Sequence, residues 1–171
     1  MADLPDDQLA DTRELHLAWL DYYRRTVERK LAGLTESELR TSRLPSGWSP
    51  LELVKHLIWM ERRWLRWGFV AEPFDQPWGD SGGTEDQPWQ LADGDTADSL
   101  LTALRAGGER TRQVVGSADD LAQHAAAGGR FSAGKQTPTL NWILFHVLQE
   151  YARHVGQLDI ARELADGGTG E

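Results

Sequence analysis

Residues 140–161 read LNWILFHVLQEYARHVGQLDIA, and their spacing decides the fold. Leu140, Leu144, Val147, Tyr151, His154, Leu158 and Ala161 follow one another in steps of 4, 3, 4, 3, 4 and 3. Such a seam keeps one face of an α-helix apolar along its whole length and requires other helices to cover it. A strand would alternate instead, and this stretch does not. Thr137 and Pro138 mark the expected start, a capping hydroxyl followed by a proline whose missing N–H is harmless in a first turn. The helix is expected to run to about Leu164, and Asp166-Gly-Gly-Thr-Gly170 closes it.

Three more long helices follow from the same logic. Ser49, Pro50 and Glu52 form a capping box with proline at the first helical position. The helix they open is expected to reach about Gly68, with Leu53, Leu57, Met60, Trp64 and Trp67 as its seam and His56 on the flank of that seam. A first helix is expected over Asp7–Leu31, with an inward stripe of Leu9, Thr12, Leu15 or His16, Trp19, Tyr23 and Val27. Gly33 lies past its end, and Thr35-Glu-Ser-Glu38 is a second capping box that opens one short helical turn. A third long helix starts at Asp95 or Thr96 and reaches about Val115. Phe69–Asp95 and Ser117–Gln136 show no period. The first of these is long for a compact domain, and its Trp78 and Trp89 are expected to fold back on the body as a lid or plug. The expected fold is all-α: one domain over residues 1–171, a four-helix bundle with long irregular connections between helices two and three and between three and four.

The composition narrows the function. With 40% hydrophobic and 26% charged residues the chain reads as an ordinary globular protein. No apolar run is long enough to span a bilayer. The start, MADLPDDQLADTRE, lacks the basic and apolar segments of a signal peptide, so a cytoplasmic protein is expected. The net charge of -9 argues against a nucleic-acid partner. Arg24–Arg25, Arg62–Arg63–Arg66 and Arg105 to Arg112 are interleaved with acids or apolar residues and read as solvated helix faces. A monomer and a homodimer are both compatible with the sequence. There is no cysteine, which excludes disulfides, cysteine-ligated metals and a cysteine nucleophile. A metal would have to be held by histidine and carboxylate, and a reacting thiol would have to come from outside.

Glu150 and His154 stand four residues apart on the last helix, about 5–6 Å between β-carbons. Both point toward the interior, where charge is costly unless paired or metal-bound. His56 flanks the seam of another helix and can supply a third ligand; two histidines and a carboxylate suit zinc or another first-row metal with open positions. The same spacing also describes a simple hydrogen-bonded pair, so both readings stand at this level. His146, Gln157 and Trp59 are candidates for the surroundings of the site: His146 and Gln157 to orient a ligand or meet substrate, Trp59 to wall a pocket. His16 reads as a partly buried polar residue, His124 carries no argument, and Glu61 with Arg153 reads as an ordinary surface or interhelical ion pair.

The stretch Pro45-Ser-Gly-Trp-Ser-Pro-Leu-Glu-Leu-Val-Lys-His-Leu-Ile-Trp-Met-Glu-Arg-Arg-Trp64 resembles the second-helix motif of the DinB-like superfamily. Asn141-Trp-Ile-Leu-Phe-His-Val-Leu-Gln-Glu-Tyr-Ala-Arg-His-Val-Gly-Gln-Leu-Asp159 resembles the fourth-helix motif of its mycothiol-dependent branch. The resemblance implies a metal-binding four-helix bundle of the DinB/YfiT-like type, with His56, Glu150 and His154 as ligands. It also implies mycothiol as cosubstrate and a small-molecule electrophile as partner. Zinc is the first expectation, with nickel or iron as alternatives. His154-Val-Gly-Gln157 departs from related members near the pocket and leaves the substrate open. The activity so implied is a metal-dependent thiol transferase or isomerase. A metal-dependent hydrolase and a non-catalytic stress-related binding protein are the alternatives.

Overall fold

The structure, a computed structural model, describes residues 4–169. Residues 1–3 and 170–171, which the single-domain expectation includes, lie outside the described residues. The chain is all-α. Among the described residues there is no strand, only the isolated bridges Ser81–Trp89 and His124–Thr139. The helices are α1 (Thr12–Leu31), α2 (Glu36–Arg40), α3 (Pro50–Glu61), α4 (Ala97–Ser117) and α5 (Leu140–Asp166); a π-helical segment, Arg62–Phe69, continues α3 directly. The count is five rather than four because the Thr35–Glu38 capping box opens a helix of its own.

Two starts differ from the sequence reading, each for a local reason. Helix α1 begins at Thr12, because the Asp11 carboxylate accepts from the Glu14 N–H and caps it there. The preceding residues turn on Asp6 instead. Helix α5 is capped by Thr139, not Thr137. The Thr137 hydroxyl donates to the Ala125 carbonyl, and the Pro138 carbonyl accepts from the Ala125 N–H, so this pair lies extended beside residues 121–125.

Helix α3 holds its expected register through Leu53, Leu57 and Met60, all buried. Beyond Glu61 the winding changes. Each i→i+5 turn takes one residue more than an α turn, so Leu65 and Phe69 enter the core in place of the expected Trp64 and Trp67. Those two indoles are left half-buried, and Trp64 lines the cavity beside the site. The α1 stripe is likewise rotated: His16, Leu20, Val27 and Leu31 are buried, while Trp19 and Tyr23 are only partly covered. Helix α1 packs on α4 and α5, and α3 packs on the same two. Leu57, Leu104, Leu144 and Leu158 belong to the resulting core, and each buried leucine stabilises the fold by about 2 kcal/mol. The consequence for function is that α3 and α5 touch along the faces carrying His56 and His154.

Candidate metal centre

His56, Glu150 and His154 meet between α3 and α5. Their nearest ligand atoms all lie within 4.8 Å of one another. Glu150 Oε2 stands 3.2 Å from His154 Nε2 and 3.8 Å from His56 Nε2. Ligands held about 2.0–2.2 Å from a tetrahedral zinc sit roughly 3.3–3.6 Å apart, so the two observed separations bracket that value. The far side of each ring is already committed. His56 Nδ1 lies 3.0 Å from Asp80 Oδ2, and His154 Nδ1 lies 2.6 Å from Gln157 Oε1. Both partners are acceptors, so an Nδ1–H on either ring has an oxygen to donate to. In that neutral tautomer, Nε2 is a lone pair aimed at a carboxylate. When Nε2 carries the proton instead, hydrogen bonds from His154 and then His56 hold the Glu150 carboxyl well below the usual carboxylate range, so it stays charged. Two lone pairs and an anion converging in a half-buried site call for a cation, and this donor set fits a divalent metal.

The irregular segment after the π-helix supplies the support. Asp80 is buried, accepts from His56, and is gripped by both terminal nitrogens of Arg63 at 2.5 and 3.0 Å. Burial pushes the Asp80 carboxyl up, but the bonds from His56 and Arg63 outweigh it and leave the group below its usual range. Trp89 stacks on His56 with ring centroids 4.0 Å apart, and Trp78 covers the Arg63 guanidinium at 4.3 Å. The fold-back expected of the two loop tryptophans is thus what the structure has. Asp80→Asn is expected to keep an acceptor for His56 but lose the ion pair with Arg63. Metal affinity, read by chelator competition, should fall about 10-fold, and thermal unfolding should register a loss of about 2 kcal/mol. Unchanged affinity would reject Asp80 as the group that orients His56.

A sequence model of the mycothiol-S-transferase family matches residues 15–167. The chain belongs to the mycothiol S-transferase family, a DinB-like family. No curated relative matches it. The match spans all five helices and both irregular connections apart from the first residues of α1, so the family assignment covers each residue described above.

Beside two of the three candidate ligands of this mycothiol S-transferase family member lies a cavity of about 270 Å³. His56 and Glu150 line it together with His146, Asp80, Trp64, Trp89, Arg63 and Arg130. His146 stacks on Trp142 and lies beside Trp64, and burial lowers its pKa against the pull of Glu150. Gln157 holds His154 as described. Trp59 does not line the cavity. It packs on Gly79, where a β-carbon would come within 2.4 Å of the indole, and so props the loop carrying Asp80. His16 is buried against Asn141 and Phe145, and His124 meets the Thr137 carbonyl, away from the site. The reading of Glu61 with Arg153 is corrected: Arg153 is exposed, and Glu61 is buried against Arg24, Thr111 and Tyr151. Arg24 and Arg63, read as solvated, are buried for the same reason, each facing an acid. Among the described residues, no helix is long and apolar enough to cross a membrane.

Proposed function

We propose that this protein is a metal-dependent S-transferase that joins mycothiol to a small electrophile, with His56, Glu150 and His154 holding the metal. The observation that carries the reading is the convergence of three ligand atoms within 4.8 Å, with an acceptor behind each imidazole ready to hold its Nδ1–H. A zinc ion is the first candidate for the site. When bound, a divalent cation lowers the pKa of a thiol and favours the thiolate. The protein's own residues do the rest. Asp80 and Gln157 fix the two imidazoles, Trp89 shields His56 from water, and the cavity beside Glu150 has room for the reacting ends of two small molecules. His146, kept neutral by burial, lines the same cavity and is our candidate acceptor for the thiol proton. Absence of cysteine from the chain agrees with a nucleophile brought by the cosubstrate.

The test is adduct formation. Zinc-loaded protein is mixed with mycothiol and monochlorobimane, and the fluorescent thioether is followed. The expected result is turnover at least 100-fold above the His154→Ala variant, in line with the loss of an activating cation. Equal rates in the two proteins would reject the proposal for this electrophile.

A further inference from the structure

Among the described residues, Arg130 lines the cavity with no hydrogen-bonded acid, facing only Glu85 at 3.9 Å. It comes from the irregular stretch between α4 and α5. Gly129 allows the approach: a β-carbon there would lie 2.0 Å from the Trp67 carbonyl oxygen. Gly128 turns with φ of 112°, a region that favours glycine. The Arg130 N–H then bonds the Trp67 carbonyl at 3.1 Å, which fixes the segment to the π-helix.

The side chain is held as a plate. Its guanidinium carbon sits 4.4 Å from the Trp64 ring centre and 5.5 Å from that of Trp78. Those contacts are cation–π contacts and leave its N–H groups without a hydrogen-bond partner among the described residues. Only 19% of the side chain is exposed, yet its sole acidic neighbour among the described residues is Glu85 at 3.9 Å, beyond hydrogen-bond reach and itself 68% exposed. The other acids of the cavity are engaged: Asp80 with Arg63 and His56, Glu150 with the two histidines. A mostly buried guanidinium held against indoles on a cavity wall, with no hydrogen-bonded acceptor among the described residues, is a preformed fork for a planar anion. Burial also draws its pKa down, against Glu85, so an arriving anion would relieve an existing cost.

We infer that Arg130 is a specificity-determining residue that docks a carboxylate carried by the electrophile. The inference rests on the transferase reading for the ligand's role but not for its binding. In the reaction so defined, the thiol sulfur forms a bond to the electrophilic carbon, the leaving group departs with its bonding pair, and the thiol proton passes by way of His146 to solvent. For a benzylic bromide the departing group is bromide.

Binding is tested first, with unreactive probes. Calorimetry on the zinc-loaded protein compares 4-methylbenzoate with 4-methylbenzamide, which differ only in the charged group. The expected result is that benzoate binds about ten-fold more tightly, the worth of one charge-assisted bidentate contact. The preference should fall to within two-fold in Arg130→Gln and shrink several-fold in Arg130→Lys, which keeps the charge but not the fork. It should persist in His154→Ala. No preference in the wild type, or one that survives Arg130→Gln, overturns the inference. A preference lost in His154→Ala also overturns it, since the carboxylate would then be sitting on the cation. Turnover is tested second, with mycothiol and 4-(bromomethyl)benzoate against its carboxamide; kcat/KM should favour the acid about ten-fold in the wild type only. An Arg130-dependent binding preference without transfer of either bromide upholds the carboxylate site and counts against the transferase reading.

Discussion

Replacing His154 by alanine is expected to empty the centre of metal and abolish thiol transfer, the largest functional effect of any single change in this chain. The side chain supplies one of three convergent ligand atoms, and among the described residues no other histidine or acid is placed to take over: His146 lines the cavity but lies outside the cluster whose atoms fall within 4.8 Å. Loss of a supporting residue around a metal ligand costs 10–100-fold in affinity, and loss of the ligand itself should exceed that, so on the order of 10³-fold is expected. His56→Ala and Glu150→Ala should behave alike, whereas His124→Ala, whose ring only clasps the Thr137 carbonyl, should keep full occupancy. Elemental analysis after dialysis reads the occupancy. A second readout does not depend on activity. Metal present at about 100 times its Kd stabilises the folded state by about 2.7 kcal/mol, which for a chain of this size raises the unfolding midpoint by roughly 5–11 °C. A chelator should remove that increment from the wild type and find nothing to remove in His154→Ala. Stoichiometric metal retained by a His56→Ala/His154→Ala double variant would reject the assignment of the site.

What the sequence made legible was whatever a helix repeats. Glu150 and His154 share a face because they are four apart, and His56 could be placed beside a seam for the same reason. The support around them came from outside any period. Asp80 and Trp89 sit in a segment with no repeat, and their contact with His56 is made across 24 and 33 residues of chain by a single isolated bridge and the packing of Gly79 on Trp59. Arg63 and Arg24 carried the wrong message: charge at helical spacing reads as a solvated face, and nothing local announces the buried acid that each one meets. The π-helical turn after Glu61 was hidden because Trp64 and Trp67 continue an apolar seam as convincingly as Leu65 and Phe69 do. The Thr139 cap was hidden because Thr137 offers the same hydroxyl, and only the pairing with residues 121–125 chooses between them. One signal was present and went unread. Gly128 and Gly129 directly precede Arg130, and paired glycines in a loop are a sign of close backbone approach.

Glu61→Gln is expected to cause the largest loss of stability, about 3–5 kcal/mol, the usual result of breaking a buried ion pair from one side. Four donors converge on this carboxylate. Arg24 Nη2 and the Thr111 hydroxyl reach Oε1, while Arg24 Nε at 3.3 Å and the Tyr151 hydroxyl at 2.6 Å reach Oε2. An ionised carboxylate has about four lone-pair positions, so its accepting capacity is filled. Burial pulls the Arg24 guanidinium down, and Glu61 more than reverses this, leaving its pKa raised; burial and then Glu61 push the Tyr151 phenol up. Glutamine has nearly the same shape but turns an NH₂ toward donors and leaves the buried guanidinium only Asp21, itself partly exposed, as counterion. Against a total stability of about 5–15 kcal/mol the change is severe, and the midpoint should drop by roughly 6–20 °C. The physical cause can be separated from mere loss of packing. Replacing the whole group by apolar residues of similar volume (Arg24→Met, Glu61→Leu, Thr111→Val and Tyr151→Phe together) removes every orphaned donor along with the charge, so it should unfold at a higher temperature than Glu61→Gln alone. If the fourfold variant is instead less stable than the single one, the contribution of these residues is packing rather than charge compensation. The network also bears on the site by position: Glu61 is the last α-helical residue before the π-helical turn that exposes Trp64 to the cavity, and Tyr151 follows Glu150 on α5. The fourfold variant should therefore bind metal as the wild type does only if the packing of α3 on α5, rather than the charges themselves, holds His56 opposite His154.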